Sequence, residues 1–201
     1  MAALSESEIE HLLTPYTYEN KRLAGKIGEY LDLLLRWNSR TNLTAIRQPE
    51  EIVRRHFGES LFAAANLGDP LPPTLLDLGS GAGFPGLPIA LAYPEIAVTL
   101  AESQNKKASF LREAVRTLGV KNVEAWANRA EALPAGRQFH TVALRAVDDM
   151  AAALAAAAPL ASSQLLLLTT GHPELPEGFQ VEASLAIPAS DKGVLLRAHR
   201  S

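Results

Sequence analysis

Apolar residues recur at two different periods along the chain, and the change of period divides it in two. Leu23, Ile27, Tyr30, Leu31, Leu34 and Leu35 repeat at the 3.6-residue spacing of a helix buried along one face, over about Glu19 to Asn38. Before it, Ser5 followed by Glu8 has the spacing of a capping box, which predicts a short helix ending near Thr14-Pro15. After it, Pro49 with Glu50 and Glu51 reads as the first turn of a third helix running to about Ala65. Residues 1–66 are therefore expected to be helical. Gly68-Asp69-Pro70-Leu71-Pro72-Pro73 is a stiff, turn-rich connection. Beyond it, short apolar runs predict strands at 74–78, 97–101, 122–126, 140–145 and 164–168. Helices are expected between them at 86–92, 105–118, around 129–133 and at 148–158, and two further strands at 179–186 and 193–198. Such alternation predicts an α/β domain over residues 74–201, a mainly parallel sheet with helices on both faces, behind an N-terminal helical extension over 1–66.

Between the first of these strands and its helix lies Leu75-Leu76-Asp77-Leu78-Gly79-Ser80-Gly81-Ala82-Gly83-Phe84-Pro85-Gly86. A strand, a glycine turn and a helix N-terminus let backbone approach a nucleotide-like ligand closely. Gly81 to Gly86 has phosphate-loop spacing, but Leu87-Pro88 stand where lysine and Ser/Thr are required, so nucleotide hydrolysis drops out. Three readings stay open, the plainest a tight strand-to-helix connection that holds no ligand. Gly81-x-Gly83-x-x-Gly86 is a dinucleotide fingerprint, which implies a nicotinamide-dependent oxidoreductase. Asp77-x-Gly79-x-Gly81-x-Gly83 is the acidic-then-glycine pattern of the Rossmann-like class I methyltransferases, which implies S-adenosylmethionine. Glu102, nineteen residues after Gly83 at the end of the second strand, suits a pair of ribose hydroxyls. Ala130-Glu131 follow the third strand, where an adenine edge would be read. Arg145 ends the fourth and is expected to face the ligand crevice, or to pair with Asp148 or Asp149.

Composition narrows the class. The chain of 201 residues contains no cysteine, which excludes a disulfide framework, a cysteine nucleophile and a thiolate metal site. His11, His56, His140, His172 and His199 show no metal-ligand spacing, and no metal is expected. No apolar run approaches the roughly 18 residues of a membrane span, and the acidic stretch Met1 to Glu10 lacks a signal pattern, so a cytoplasmic protein is expected. The formal net charge is −3, yet residues 21–56 carry eight basic against four acidic side chains, a local +4. Arg54, Arg55 and His56 fall in this patch, as does Trp37. Lys106 and Lys107 occupy the first turn of the 105–118 helix, where they oppose the helix dipole and so point to an external anion. A basic surface with aromatics is a candidate RNA face, and a solvated helix face is the alternative.

Several stretches together resemble the bacterial RsmG (GidB) family. They are Trp37-Asn38-Ser39-Arg40-Thr41-Asn42-Leu43-Thr44-Ala45-Ile46, Arg55-His56-Phe57, the glycine stretch, Glu102-Ser103-Gln104-Asn105-Lys106-Lys107, Asn128-Arg129-Ala130-Glu131 and Leu144-Arg145-Ala146. The resemblance implies methylation of N7 of one guanine in the decoding region of 16S ribosomal RNA, with S-adenosylmethionine as donor and the small ribosomal subunit as partner. It implies that Gly79, Phe84, Ala130, Glu131 and Arg145 contact the cofactor, with Gly81 and Glu102 completing the set by their place in the motif. A monomer is expected. The chain departs from the family pattern at Thr169-Thr170-Gly171, where a lysine commonly precedes the glycine. That departure motivates a further reading, a non-catalytic ribosome-associated module that keeps the cofactor fold.

Overall fold

A computed structural model of the protein describes residues 3–201; Met1 and Ala2, at the start of the acidic N-terminal stretch, lie outside the described residues. The chain opens with α1 (Glu6–Leu13), closed at its start by the Ser5–Glu8 capping box, and α2 (Asn20–Asn38). The expected third helix is continuous but not uniform. It begins as α3 (Pro49–Ile52), widens into a π-helical segment at Val53–Gly58, and resumes as α4 (Glu59–Ala65). The π segment was not expected, because its i→i+5 bonds leave no mark on residue composition.

The second part alternates as the pattern predicts. It runs β1 (Thr74–Leu78), α5 (Gly86–Ala92), β2 (Ala97–Ala101), α6 (Asn105–Leu118), β3 (Val123–Trp126), β4 (Phe139–Arg145), α7 (Met150–Ala157), β5 (Ala161–Thr169), β6 (Phe179–Ala186) and β7 (Val194–Arg200). The stretch around 129–133 closes as a single 3₁₀ turn at Ala130–Ala132. The strands form one seven-stranded sheet in the order β3-β2-β1-β4-β5-β7-β6. β1 to β5 pair in parallel, whereas β7 runs antiparallel to both β5 and β6.

Strand periodicity sorts the core into two layers. Leu75, Val98, Leu100, Ala143, Leu166 and Leu168 face the side covered by α5, α6 and the N-terminal helices. Leu76, Val142, Leu144, Leu165 and Leu167 face the side covered by α7. The N-terminal helices thus share a core with the sheet, and Tyr30, Phe57 and Phe110 lie fully buried within it. This packing sets the π segment beside the carboxyl ends of β1 and β4, where parallel sheets bind ligands.

Candidate active site

The glycine turn is pinned from below by Asp77. This fully buried carboxylate accepts from Ser80 Oγ (2.7 Å) and from the Gly86 amide (2.9 Å) through Oδ2, while Oδ1 is buried without a partner. Burial raises its pKa to about 6, against the opposing pull of those two hydrogen bonds. From the side, Glu102 holds the turn at its middle. Its Oε2 accepts from the Gly81 amide (3.0 Å) and its Oε1 from the Gln104 amide (2.7 Å).

The glycines divide by task. Gly81 sits at φ +58° with only the Gly79 carbonyl oxygen near an added Cβ, at 3.9 Å, so it faces open space. A Cβ on Gly83 would collide with the Tyr30 hydroxyl and approach Leu111 to 3.2 Å. Gly83 therefore serves packing, not a ligand, and the dinucleotide spacing that includes it is incidental.

Beside the turn opens a cavity of about 310 Å³, lined on one side by Leu78, Gly79, Glu102 and Ser103 and on the other by Asn128 to Glu131. Four of the seven expected cofactor residues, Gly79, Glu102, Ala130 and Glu131, meet on this wall. Gly81 reaches it through its bond to Glu102. Phe84 instead joins a buried aromatic group, stacked 5.5 Å from Tyr30 and 5.0 Å from His56.

Arg145 belongs to a second, smaller cavity of about 170 Å³, with Arg55, Glu59, Thr169 and Thr170. Val147 lines both cavities. The chain turns there at Ala146, whose φ of +51° is unusual for a residue with a side chain. Arg145 pairs with neither Asp148 nor Asp149; Asp149 caps α7 through the Ala152 amide. Its Nη2 donates to Glu59 Oε2 (2.8 Å) and to the Arg55 carbonyl (2.7 Å), and its Nε–H is buried without a partner. The second oxygen of Glu59 accepts from Arg55 Nε (3.1 Å). Glu59 escaped the sequence reading altogether. Its signal was present, an acid four residues after Arg55 inside the apolar run Phe57 to Ala64.

The expected RNA-facing residues do not behave alike. Arg54, Arg55 and Lys106 are exposed and Lys107 is half-buried. His56 turns inward, stacking on Phe84 and sharing a 2.7 Å hydrogen bond between Nε2 and Thr44 Oγ1. Burial, reinforced by Arg145 and Arg55, lowers its pKa to about 3, so it is a neutral aromatic of the core rather than a cationic phosphate contact.

A glycine turn after β1, an acid after β2 and an antiparallel β7 define the Rossmann-like fold of class I S-adenosylmethionine-dependent methyltransferases. Solved structures share it. The magnesium protoporphyrin IX methyltransferase of Synechocystis PCC 6803 with bound SAH matches with a TM-score of 0.61 at 17% identity, over 86% of this chain and 100% of that one. MtNAS in complex with MTA and tNA matches with a TM-score of 0.62 at 13% identity, over 98% and 82%. The chain itself belongs to the rRNA small subunit methyltransferase G (GidB) family, whose model matches residues 24–187. The Ribosomal RNA small subunit methyltransferase G of Stenotrophomonas maltophilia (strain K279a) is 42% identical over 175 residues, 83% of this chain and 81% of that protein. Its counterpart in Xylella fastidiosa (strain M23) is 42% identical over 161 residues, 77% and 74%. The resemblance read from the motifs holds, and it removes the oxidoreductase reading.

Proposed function

We propose that the protein transfers a methyl group from S-adenosylmethionine to N7 of a guanine in 16S ribosomal RNA of the small subunit. The observation that carries this reading is the pair of cavities that share Val147, one built on the glycine turn and its carboxylates, the other walled by arginines that hold its carboxylate, Glu59. The larger cavity suits the cofactor, because Gly79 leaves room where a Cβ would intrude and Glu102 keeps carboxylate lone pairs beyond those its two amide donors use. When bound, S-adenosylmethionine supplies an electrophilic methyl on a sulfonium. Glu102 would take the ribose hydroxyls, and Ala130-Glu131 would border the adenine.

Guanine N7 is an acceptor that carries no proton in the neutral base. Its attack needs alignment and a suitable electrostatic setting, not a general base. The second cavity meets that requirement, since its carboxylate, Glu59, is held by two arginines. The test is methyl transfer to small-subunit particles from a strain lacking the modification. The expected product is 7-methylguanine, recognisable by its cleavable ring and glycosidic bond. The single-turnover rate is expected to be flat across the neutral and mildly alkaline range, above the range in which Asp77 takes up its proton. A rate rising tenfold per pH unit, with a product resistant to cleavage, points to a base and a different acceptor atom. Failure to transfer at all, with the cofactor bound, favours the non-catalytic module.

Glu102→Ala should weaken the cofactor by about 1.5–3 kcal/mol, the range for hydrogen bonds to a charged group. Calorimetric titration reads this directly, and an unchanged dissociation constant returns Glu102 to a purely structural support of the turn. The exposed cations give a separate expectation. Charge reversal at Arg54 and Lys106 should raise the KM for RNA and leave cofactor affinity alone. Each cation that no longer neutralises a phosphate should lower the slope of log affinity against log salt by about 0.7–0.9. A double variant that keeps the wild-type slope makes these residues a solvated face.

A further inference from the structure

We propose that Glu59 determines base specificity, its carboxylate accepting the N1–H and 2-amino hydrogens of the target guanine while the flanking arginines donate to O6. The inference rests on the guanine-N7 reading and deepens it. Three features of the second cavity carry it. First, Glu59 and Arg145 both line that cavity, with side chains only 9% and 11% exposed, so a base entering it meets an acceptor beside a donor. Second, the pair is incompletely used. Each Glu59 oxygen accepts a single hydrogen bond, which leaves lone pairs on both. Arg145 uses only Nη2 among its nitrogens, and its Nε–H is buried without an acceptor. A buried, unpartnered donor is a cost that a folded protein rarely carries without use. Third, Glu59 directly follows a π-helical segment, a departure from α geometry that recurs at functional sites.

Base chemistry supplies the orientation. N7 and O6 share one edge of guanine, and N1–H and the 2-amino group lie on the other. With N7 turned toward the cofactor cavity at Val147, the 2-amino end points away from it, into the second cavity. Adenine in the same place would set its amino hydrogens against the arginine donors and the lone pair of its N1 against the Glu59 carboxylate. It also offers no 2-amino group. Both mismatches leave buried groups unpaired, which is the kind of site that discriminates strongly.

The experiment compares small-subunit particles rebuilt with guanosine or inosine at the methylated position, using wild-type protein and Glu59→Gln. Inosine keeps N7, O6 and N1–H and lacks only the 2-amino group. Wild-type kcat/KM should fall about 10- to 100-fold on inosine, the effect of one hydrogen bond to a charged group. In Glu59→Gln the guanosine rate should fall and the gap between the two bases should largely close, with calorimetric affinity for S-adenosylmethionine unchanged. Wild-type protein that methylates inosine and guanosine equally overturns the proposal, and this arm needs no variant to fold. Glu59→Gln that slows both bases alike with the gap intact also overturns it, leaving Glu59 a structural partner of Arg145. If wild-type product from guanosine is not 7-methylguanine, the functional reading fails, and the inference fails with it.

Discussion

Gly81→Val is expected to fold and to lose most of its S-adenosylmethionine affinity, because it disturbs the amide that Glu102 holds and fills the space beside the turn. The loss should reach at least about 100-fold, the equivalent of two factors of ten at 1.4 kcal/mol each. The backbone at Gly81 has φ +58°, a region β-branched residues enter only under strain. That strain amounts to about 1–3 kcal/mol. Nothing but the Gly79 carbonyl oxygen lies within 4 Å of the added Cβ, so the core is not displaced. For a chain of this size the melting temperature should fall by about 2–4 °C per kcal/mol of destabilisation. Calorimetry and a thermal melt together decide the matter, and near-normal affinity in a folded variant removes the turn from the cofactor site. Gly83→Val provides the contrast. Its Cβ meets Tyr30 and Leu111 inside the core, so it should reduce stability first and binding only as a consequence.

Arg145→Ala should destabilise the fold by about 3 kcal/mol, since removing one partner of a buried ion pair strands the other charge. Arg55, half-exposed, remains beside Glu59 and keeps the loss at the lower end of the usual range. At about 2–4 °C per kcal/mol the melting temperature should drop by roughly 6–12 °C. Replacing both partners by apolar residues, Glu59→Leu with Arg145→Met, should recover most of that stability. It should not recover methyl transfer. A single Arg145→Ala variant that melts with the wild type shows that the pair is more solvated than its geometry indicates.

The elements legible in the sequence were those whose neighbours in space are also neighbours in pattern. β1 and β2 begin and end where their apolar runs do, because both faces of a central parallel strand are buried. α2 was legible from its single apolar stripe and α1 from its capping box. That Gly79 and Glu102 come to line one cavity was legible for the same reason, since a glycine turn and an acid after the next strand are local signals. What stayed hidden depends on distant partners. Glu59 is defined by Arg145, 86 positions away, and looks by itself like one more helical acid. His56 reads as a member of a basic patch until the π segment turns its ring toward Phe84. The departure at Thr169-Thr170-Gly171 gains meaning only in three dimensions, where both threonines line the second cavity.

The Tyr30 hydroxyl of α2 donates to the Ala82 carbonyl inside the glycine turn, and its ring stacks on Phe84 at the end of that turn. The helical extension and the glycine turn are therefore packed as one body. Were RNA on the extension to change cofactor affinity by some factor, linkage would require the cofactor to change RNA affinity by the same factor. A substitution at Tyr30 would therefore disturb the extension and the glycine turn together.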